Sequence, residues 1–319
     1  MSRRGSVWMA AGIAAAFAGS VVMAAAQQAA PKQAAPKQAA PKPAARPPQD
    51  KTKLPELSAQ EQQAIDAAVP AAATAKPAKA RRVLVFWRCE GFFHGSGIAG
   101  GNRSIARMGE KTGAFVADFS IDYSVFDAAN LAKYDAVALN NTTQLAIPDD
   151  GKKQALLDFV RGGKGIVGIH AATDNFYKWP EAAAMMGGLF AGHPWGGGGT
   201  WAVKIDEPGH VLNRAFGGKG YKLKDEIYQF KDPYTRADRR VLLSLDLSDA
   251  DTAKAGEKGN RADKDYAISW IKTEGRGRVF YCSHGHAANV FADAPVVRHF
   301  LDGIQYAMGD LAADATPKR

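Results

Sequence analysis

Cysteine is almost missing from this 319-residue sequence: only Cys89 and Cys282 occur, and no Cys-x-x-Cys pair exists. That excludes a cysteine-rich zinc site and limits the chain to one internal disulfide. Both cysteines fall at the ends of expected strands, and two buried free thiols is the simpler reading. Concentrated charge is missing as well once the chain is divided. Residues 1–80 hold ten Lys/Arg against four Asp/Glu, and residues 81–319 hold 31 against 28, so the overall +9 splits into +6 and +3. A nearly neutral second part lacks the basic face that nucleic-acid binding needs, and no nucleic-acid partner is expected. Long apolar runs are absent except for Val7 to Met23, which is barely long enough to span a bilayer.

What surrounds that run gives it a meaning. Arg3 and Arg4 precede it and Ala24-Ala25-Ala26 follows it, the pattern of a secretory signal peptide over residues 1–26. The expectation is a mature start near Gln27 and a periplasmic or secreted protein, with an uncleaved amino-terminal anchor as the alternative. Residues 27–80 read as a Pro/Ala/Lys-rich tether, with Ala-Ala-Pro-Lys-Gln at 29–33 and again at 34–38. Proline at that density gives a stiff, extended, cationic spacer suited to an anionic envelope surface. One short helix interrupts it at 58–68, opened by the capping box Ser58-Ala59-Gln60-Glu61, and is expected to strap onto the domain that follows.

Residues 81–319 read as one α/β domain. Strands are expected at 82–87, 114–121, 136–140 and 165–169, with helices at about 104–112 and 148–161 between them. That alternation argues for a parallel sheet covered on both faces. A Gly-, Trp- and Pro-rich excursion over 179–200 follows, then β-rich segments at 201–205, 226–230 and 241–245. A hairpin of 266–271 with 278–282 and a terminal helix at 295–308 complete the domain.

Candidate chemistry gathers at strand ends. The apolar run Gly165-Ile166-Val167-Gly168-Ile169 stops at His170, flanked by Ala171 and Ala172, which reads as a strand-to-turn elbow displaying an imidazole. Serine and cysteine are absent there, so the displayed group is a ligand, acid or base. Five of the seven histidines, His94, His170, His193, His284 and His286, follow strands or sit in the excursion. In an open α/β sheet such positions share one edge and can converge on one crevice. Asp174 and Glu226 are the nearest carboxylates, and His170, Asp174 and Glu226 are the candidate catalytic groups. His94, His170, His193 and His286 are the candidate metal ligands, a donor set suited to zinc or manganese. Trp179, Trp195 and Trp201 suit stacking on a sugar face, while His210 and His299 read as structural.

Arg82–Trp87 with His94, the segment Gly168–Asp174, Gly192-His193-Pro194, Asp225-Glu226-Ile227-Tyr228, and Gly277–Tyr281 leading to Gly285-His286 resemble, in this order, the trehalose-utilisation (ThuA-like) family over about residues 81–310. The resemblance implies a flavodoxin-like fold similar to class I glutamine amidotransferases, a three-layer sandwich on a mostly parallel sheet. It also implies sugar catabolism: a hydrolase or isomerase acting on a small carbohydrate of trehalose or keto-glycoside type, or a non-catalytic carbohydrate-binding module. His170 stands where amidotransferases carry their nucleophilic cysteine, which argues against glutaminase activity. His284 stands where the family would carry an apolar residue. No nucleotide cofactor is expected.

Overall fold

Alternate residues of the central strands enter two separate cores, which is what makes the molecule three-layered. The computed structural model describes residues 49–318. In chain order these form α1 (Ala59–Ala68), β1 (Arg82–Phe86), α2 (Gly95–Thr112), β2 (Val116–Ser120), α3 (Ala128–Leu131), β3 (Ala136–Asn140), α4 (Asp150–Arg161), β4 (Gly165–Ile169) and α5 (Pro180–Met186). There follow β5 (Leu189–Phe190), β6 (Thr200–Ile205), β7 (Tyr221–Lys224), β8 (Phe230–Lys231), β9 (Arg240–Leu245), α6 (Ala250–Gly256), β10 (Ala267–Glu274), β11 (Gly277–Cys282) and α7 (Ala294–Met308). Val83, Val85, Ala136, Ala138, Val167 and Ile169 face one core, with α1, α2 and α7. Leu84, Phe86, Val137, Leu139 and Ile166 face the other, with α4 and α5. Strands buried on both faces explain why their sequences read as continuous apolar runs.

The main sheet has the order β2-β1-β3-β4-β11-β10-β9-β6-β7. Its first five strands are parallel, and the rest run antiparallel to their neighbours. The parallel half is the flavodoxin-like order, and the fold is that of class I glutamine amidotransferases as expected. The parallel order puts the carboxyl ends of β1, β3, β4 and β11 side by side. That edge carries the site.

Three expectations need correction. The tether does not extend to residue 80: from Gln49 onward the chain belongs to the same compact unit as the domain. Ile65, Ala68 and Val69 are in the core, Thr74 and Ala75 take the Gln305 side chain, and Arg81 pairs with Asp310. Ala73 and Ala75 pack against that core as well, so low complexity did not mean detachment. The signal peptide and the tether's first part, residues 1–48, lie outside the described residues. The second correction is α2, which starts at Gly95, nine residues before the expected Ser104. Gly97, Gly100 and Gly101 gave a loop-like sequence, yet they serve close packing. Third, residues 226–229 form no regular strand, and the excursion contains α5 and β5. Both cysteines are buried free thiols.

Candidate functional site

His170 is placed by the elbow the sequence announced. It follows β4 directly, is fully buried, and has a left-handed φ of 47°, rare for a residue with a Cβ. Its Nδ1 lies 2.7 Å from the Ser283 carbonyl, the only role for which is to accept. That fixes the tautomer of the neutral ring: its proton sits on Nδ1 and Nε2 presents a lone pair, while a second proton on the ring goes to Nε2, the atom that faces Glu226. Nε2 is 3.3 Å from His286 Nδ1 and 3.7 Å from Glu226 Oε1.

His286 reaches the same point from beyond the end of the neighbouring β11, and His94 from the loop after β1, which β3 separates from β4. His94 is the residue at the start of α2, and its ring centroid lies 4.9 Å from that of His170 and 5.1 Å from that of His286. Glu226 joins them from the loop before β8, with Oε1 3.3 Å from His286 Nδ1. One donor atom from each of His94, His170, Glu226 and His286 falls in a group whose members are all within 4.8 Å of one another. His193 stands at the rim, half exposed, with Nδ1 3.3 Å from Glu226 Oε2.

The electrostatics of the group are opposed in sign. Burial, then the neighbouring His170 and His286, push the His94 imidazole down to about 2, so it is neutral. Burial alone would raise the Glu226 carboxyl, but hydrogen bonds and charge from His170 and His286 outweigh it and hold the group well below the usual carboxylate range. Burial opposes protonation of His286, and Glu226 more than offsets it, raising that imidazole above its ordinary value. A neutral imidazole, a lone pair aimed inward and an ionised carboxylate are what a divalent cation requires. The His94 Nδ1 atom is buried without a hydrogen-bond partner among the described residues, which fits a metal-ligating ring better than a packed one.

One carboxylate organises this cluster without belonging to it. Asp225, buried beneath it, accepts the backbone N–H of Glu226 at 2.9 Å, Gly285 at 3.0 Å and His286 at 3.1 Å. It also meets His284 Nδ1 at 2.9 Å, and His284 Nε2 lies 2.8 Å from the Tyr221 hydroxyl. His284 is therefore a buried support and not a member of the cluster. Tyr228, whose ring centroid is 4.5 Å from that of His170, forms one wall. Sequence reading missed Asp225 and Tyr228 as site residues, although the adjacent acids Asp225-Glu226 were visible and a backbone without regular pairing can aim them apart.

The remaining expected residues are distributed differently. Asp174 is buried near the elbow and accepts from the Tyr177 hydroxyl; burial raises its carboxyl, with that bond opposing. It is not among the four converging groups. Trp195 is fully buried, its indole N–H donated to the Thr252 carbonyl, so it packs the core and has no face for a sugar. Trp201 is partly buried and donates to the Gly196 and Asp225 carbonyls, which makes it a brace for the Glu226 loop. Trp179 lies in a separate cavity beside the elbow. His210 hydrogen-bonds Leu212 N and the Asp314 carbonyl, and His299 is fully buried under β10.

Comparison with known proteins agrees with this architecture. A ThuA-like protein from Bacteroides uniformis is 22% identical, with a TM-score of 0.58 over 73% of this chain and 94% of that one. Another, from Parabacteroides merdae, is 18% identical, with a TM-score of 0.52 over 74% and 93% of the two chains. At such identities these structures speak for the fold alone. No curated protein matches the chain. The family model described as trehalose utilisation, ThuA, matches residues 82–307, and the chain belongs to that family.

Proposed function

We propose that the cluster holds one divalent cation and belongs to an exported enzyme that processes a small carbohydrate. The observation that carries the reading is the convergence of His94, His170, His286 and Glu226 within 4.8 Å at the carboxyl edge of the sheet. Family membership supports the carbohydrate class, and the leader-like first 26 residues support export to the periplasm or beyond. Zinc or manganese is the metal class the donors suit, and either supplies Lewis acidity at a sugar oxygen or lowers the pKa of bound water. The chain's own groups do the rest. His170 holds its proton on Nδ1 against Ser283, so its Nε2 is fixed for accepting or ligating. His193, at the rim and 3.3 Å from Glu226, is placed to carry protons between solvent and the cluster. Tyr228 narrows the space over His170.

The test is metal analysis of protein purified without chelator or affinity nickel, with turnover of a glycoside and keto-glycoside panel. About one bound ion per chain is expected. His170→Ala should retain the fold and lose turnover by at least ~10²-fold, the usual scale for removing a proton-transfer group. Glycoside binding with no turnover by any metal form would select a binding module instead. Absence of bound metal, with no melting shift on adding zinc or manganese, would overturn the cation site.

A further inference from the structure

Tyr228 meets the cluster with its ring clamped and its hydroxyl poorly partnered. The ring centroid lies 4.5 Å from that of His170 and 4.3 Å from that of Phe190. Its backbone N–H donates to Ser283 Oγ at 3.1 Å, and the Ser283 carbonyl takes the His170 Nδ1 proton. Ser283 therefore sets Tyr228 and His170 in register with each other. The Tyr228 hydroxyl ends beside His94, and its one polar partner among the described residues is His94 Nε2, at 3.5 Å. Hydroxyl hydrogen bonds normally span about 2.5–3.2 Å, so this contact sits at the outer limit. Tyr281, by contrast, donates to the His170 carbonyl at 2.7 Å. With Tyr228 only 3% exposed, bulk solvent does not make up the difference.

The protons of the His94–Tyr228 pair can be counted. A neutral imidazole has one N–H and one lone pair, so Tyr228 can donate to Nε2 only while Nε2 carries the lone pair. Ligation of a cation by His94 removes that option in both of its forms. A cation on Nε2 uses the lone pair itself. A cation on Nδ1, the nitrogen with no partner among the described residues, leaves the ring proton on Nε2, where it faces the Tyr228 oxygen. In either form the phenolic proton has no acceptor among the described residues, and a buried donor left without one is costly. A ligand that brings an acceptor to this point removes that cost.

We infer that Tyr228 is a hydrogen-bond donor to the substrate, its hydroxyl holding an oxygen of the ligand bound at the cluster. The inference rests on the cation reading above and adds the kind of atom the ligand must present there: an acceptor oxygen of a carbonyl, carboxylate or alkoxide. The hydroxyl keeps its proton throughout, so it positions and stabilises the oxygen without transferring anything to it. Its clamped ring fixes the aim in advance, which is what makes a donor effective toward charge that develops on oxygen. A ligand that turns a sulfur or an N–H toward the phenolic proton forgoes the bond, so Tyr228 also discriminates among ligands.

Calorimetric titration of the zinc-saturated full chain tests this with two metal-directed probes. Acetohydroxamic acid brings two acceptor oxygens, and ethanethiol brings a sulfur and no oxygen. Tyr228→Phe removes the hydroxyl and keeps the ring that packs on His170 and Phe190. It should weaken acetohydroxamate binding at least about tenfold, the scale of one lost hydrogen bond to a charged oxygen, and change ethanethiol binding less than about twofold. Equal weakening of both probes, as loosened packing would give, or no weakening of either, overturns the donor and leaves the cation reading standing. Wild-type protein that binds zinc without binding acetohydroxamate overturns it as well. Wild-type protein that binds no zinc defeats the cation reading itself, and the donor with it.

Discussion

Asp225 shows how a side chain that touches nothing reactive can decide a site's geometry. Its two oxygens collect three backbone N–H groups and the His284 ring, and two of those N–H groups belong to the converging residues Glu226 and His286. Asp225→Asn keeps the volume but turns one acceptor oxygen into a donor, leaving at least one of these N–H groups facing another donor. Supports of this kind are typically worth about 10–100-fold in metal affinity. Zinc competition titration of the variant should show a loss of that size, with a secondary structure still measurable by circular dichroism. An unchanged affinity would reduce Asp225 to a structural residue. The histidines were legible in the sequence because imidazoles stood just after apolar strands. Asp225 was not, because its partners are main-chain groups that carry no residue signature. Trp195 and Trp201 misled for a related reason: an indole in a glycine-rich segment looks displayed, and only the fold shows its N–H spent on a carbonyl.

At the level of elements, the strands buried on both faces and the capped helices α1, α4 and α7 were legible, whereas α2, α6 and the short strands β5 and β7 were not. Strands buried on both faces give unbroken apolar runs, and α4 carries its own cap, Asp149 accepting from Lys152 N. The start of α2 reads as a loop because glycine weakens a helix by about 1 kcal/mol relative to alanine. At Gly97 the fold overrides that preference: a Cβ would lie 2.5 Å from the carbonyl oxygens of both Gly285 and His286. The missing side chain lets the helix that begins after His94 press against the loop that carries His286. Propensity alone predicts that Gly97→Ala stabilises the protein; backbone overpacking, at about 1–3 kcal/mol, predicts the reverse and outweighs it. The urea midpoint of Gly97→Ala should therefore fall, and metal affinity should fall with it because the two histidines are pushed apart. A rise in midpoint would mean that the loop gives way freely.

The whole molecule was legible in class and incomplete in extent. Alternating strands and helices were enough for an α/β domain with a parallel sheet, whereas the antiparallel extension through β10, β9, β6 and β7 was seen only as β-rich segments whose order depends on long-range pairing. The segment after α1 was taken for linker because its contacts are with Gln305 and Asp310, more than two hundred residues away. Packing on this scale also sets the response to acid. His299 is fully buried between β10 and the loop before β7, with Nδ1 2.8 Å from the Leu212 carbonyl and Nε2 2.8 Å from the Ser269 hydroxyl. Burial pushes it down to about 3; the Leu212 bond opposes, and His284 and His210 nearby add to the lowering. Because the folded value lies below the unfolded value of 6.5, its stabilising contribution is complete above about pH 6.5 and is lost as the pH falls toward 3. His94 acts in the same direction, whereas His286, raised by Glu226, contributes fully below its unfolded value and loses that contribution as the pH rises. Urea unfolding from pH 7 to pH 4 should show stability declining before the carboxylates titrate. Each proton bound only by the unfolded chain contributes a slope of about 1.4 kcal/mol per pH unit. His299→Leu should lower stability at pH 7, where the Leu212 carbonyl and Ser269 lose their partner, and should flatten the slope between pH 6 and 4 by about one proton. An unchanged slope would mean that the ring takes up its proton while still packed in the fold, so that burial there does not set the acid limit.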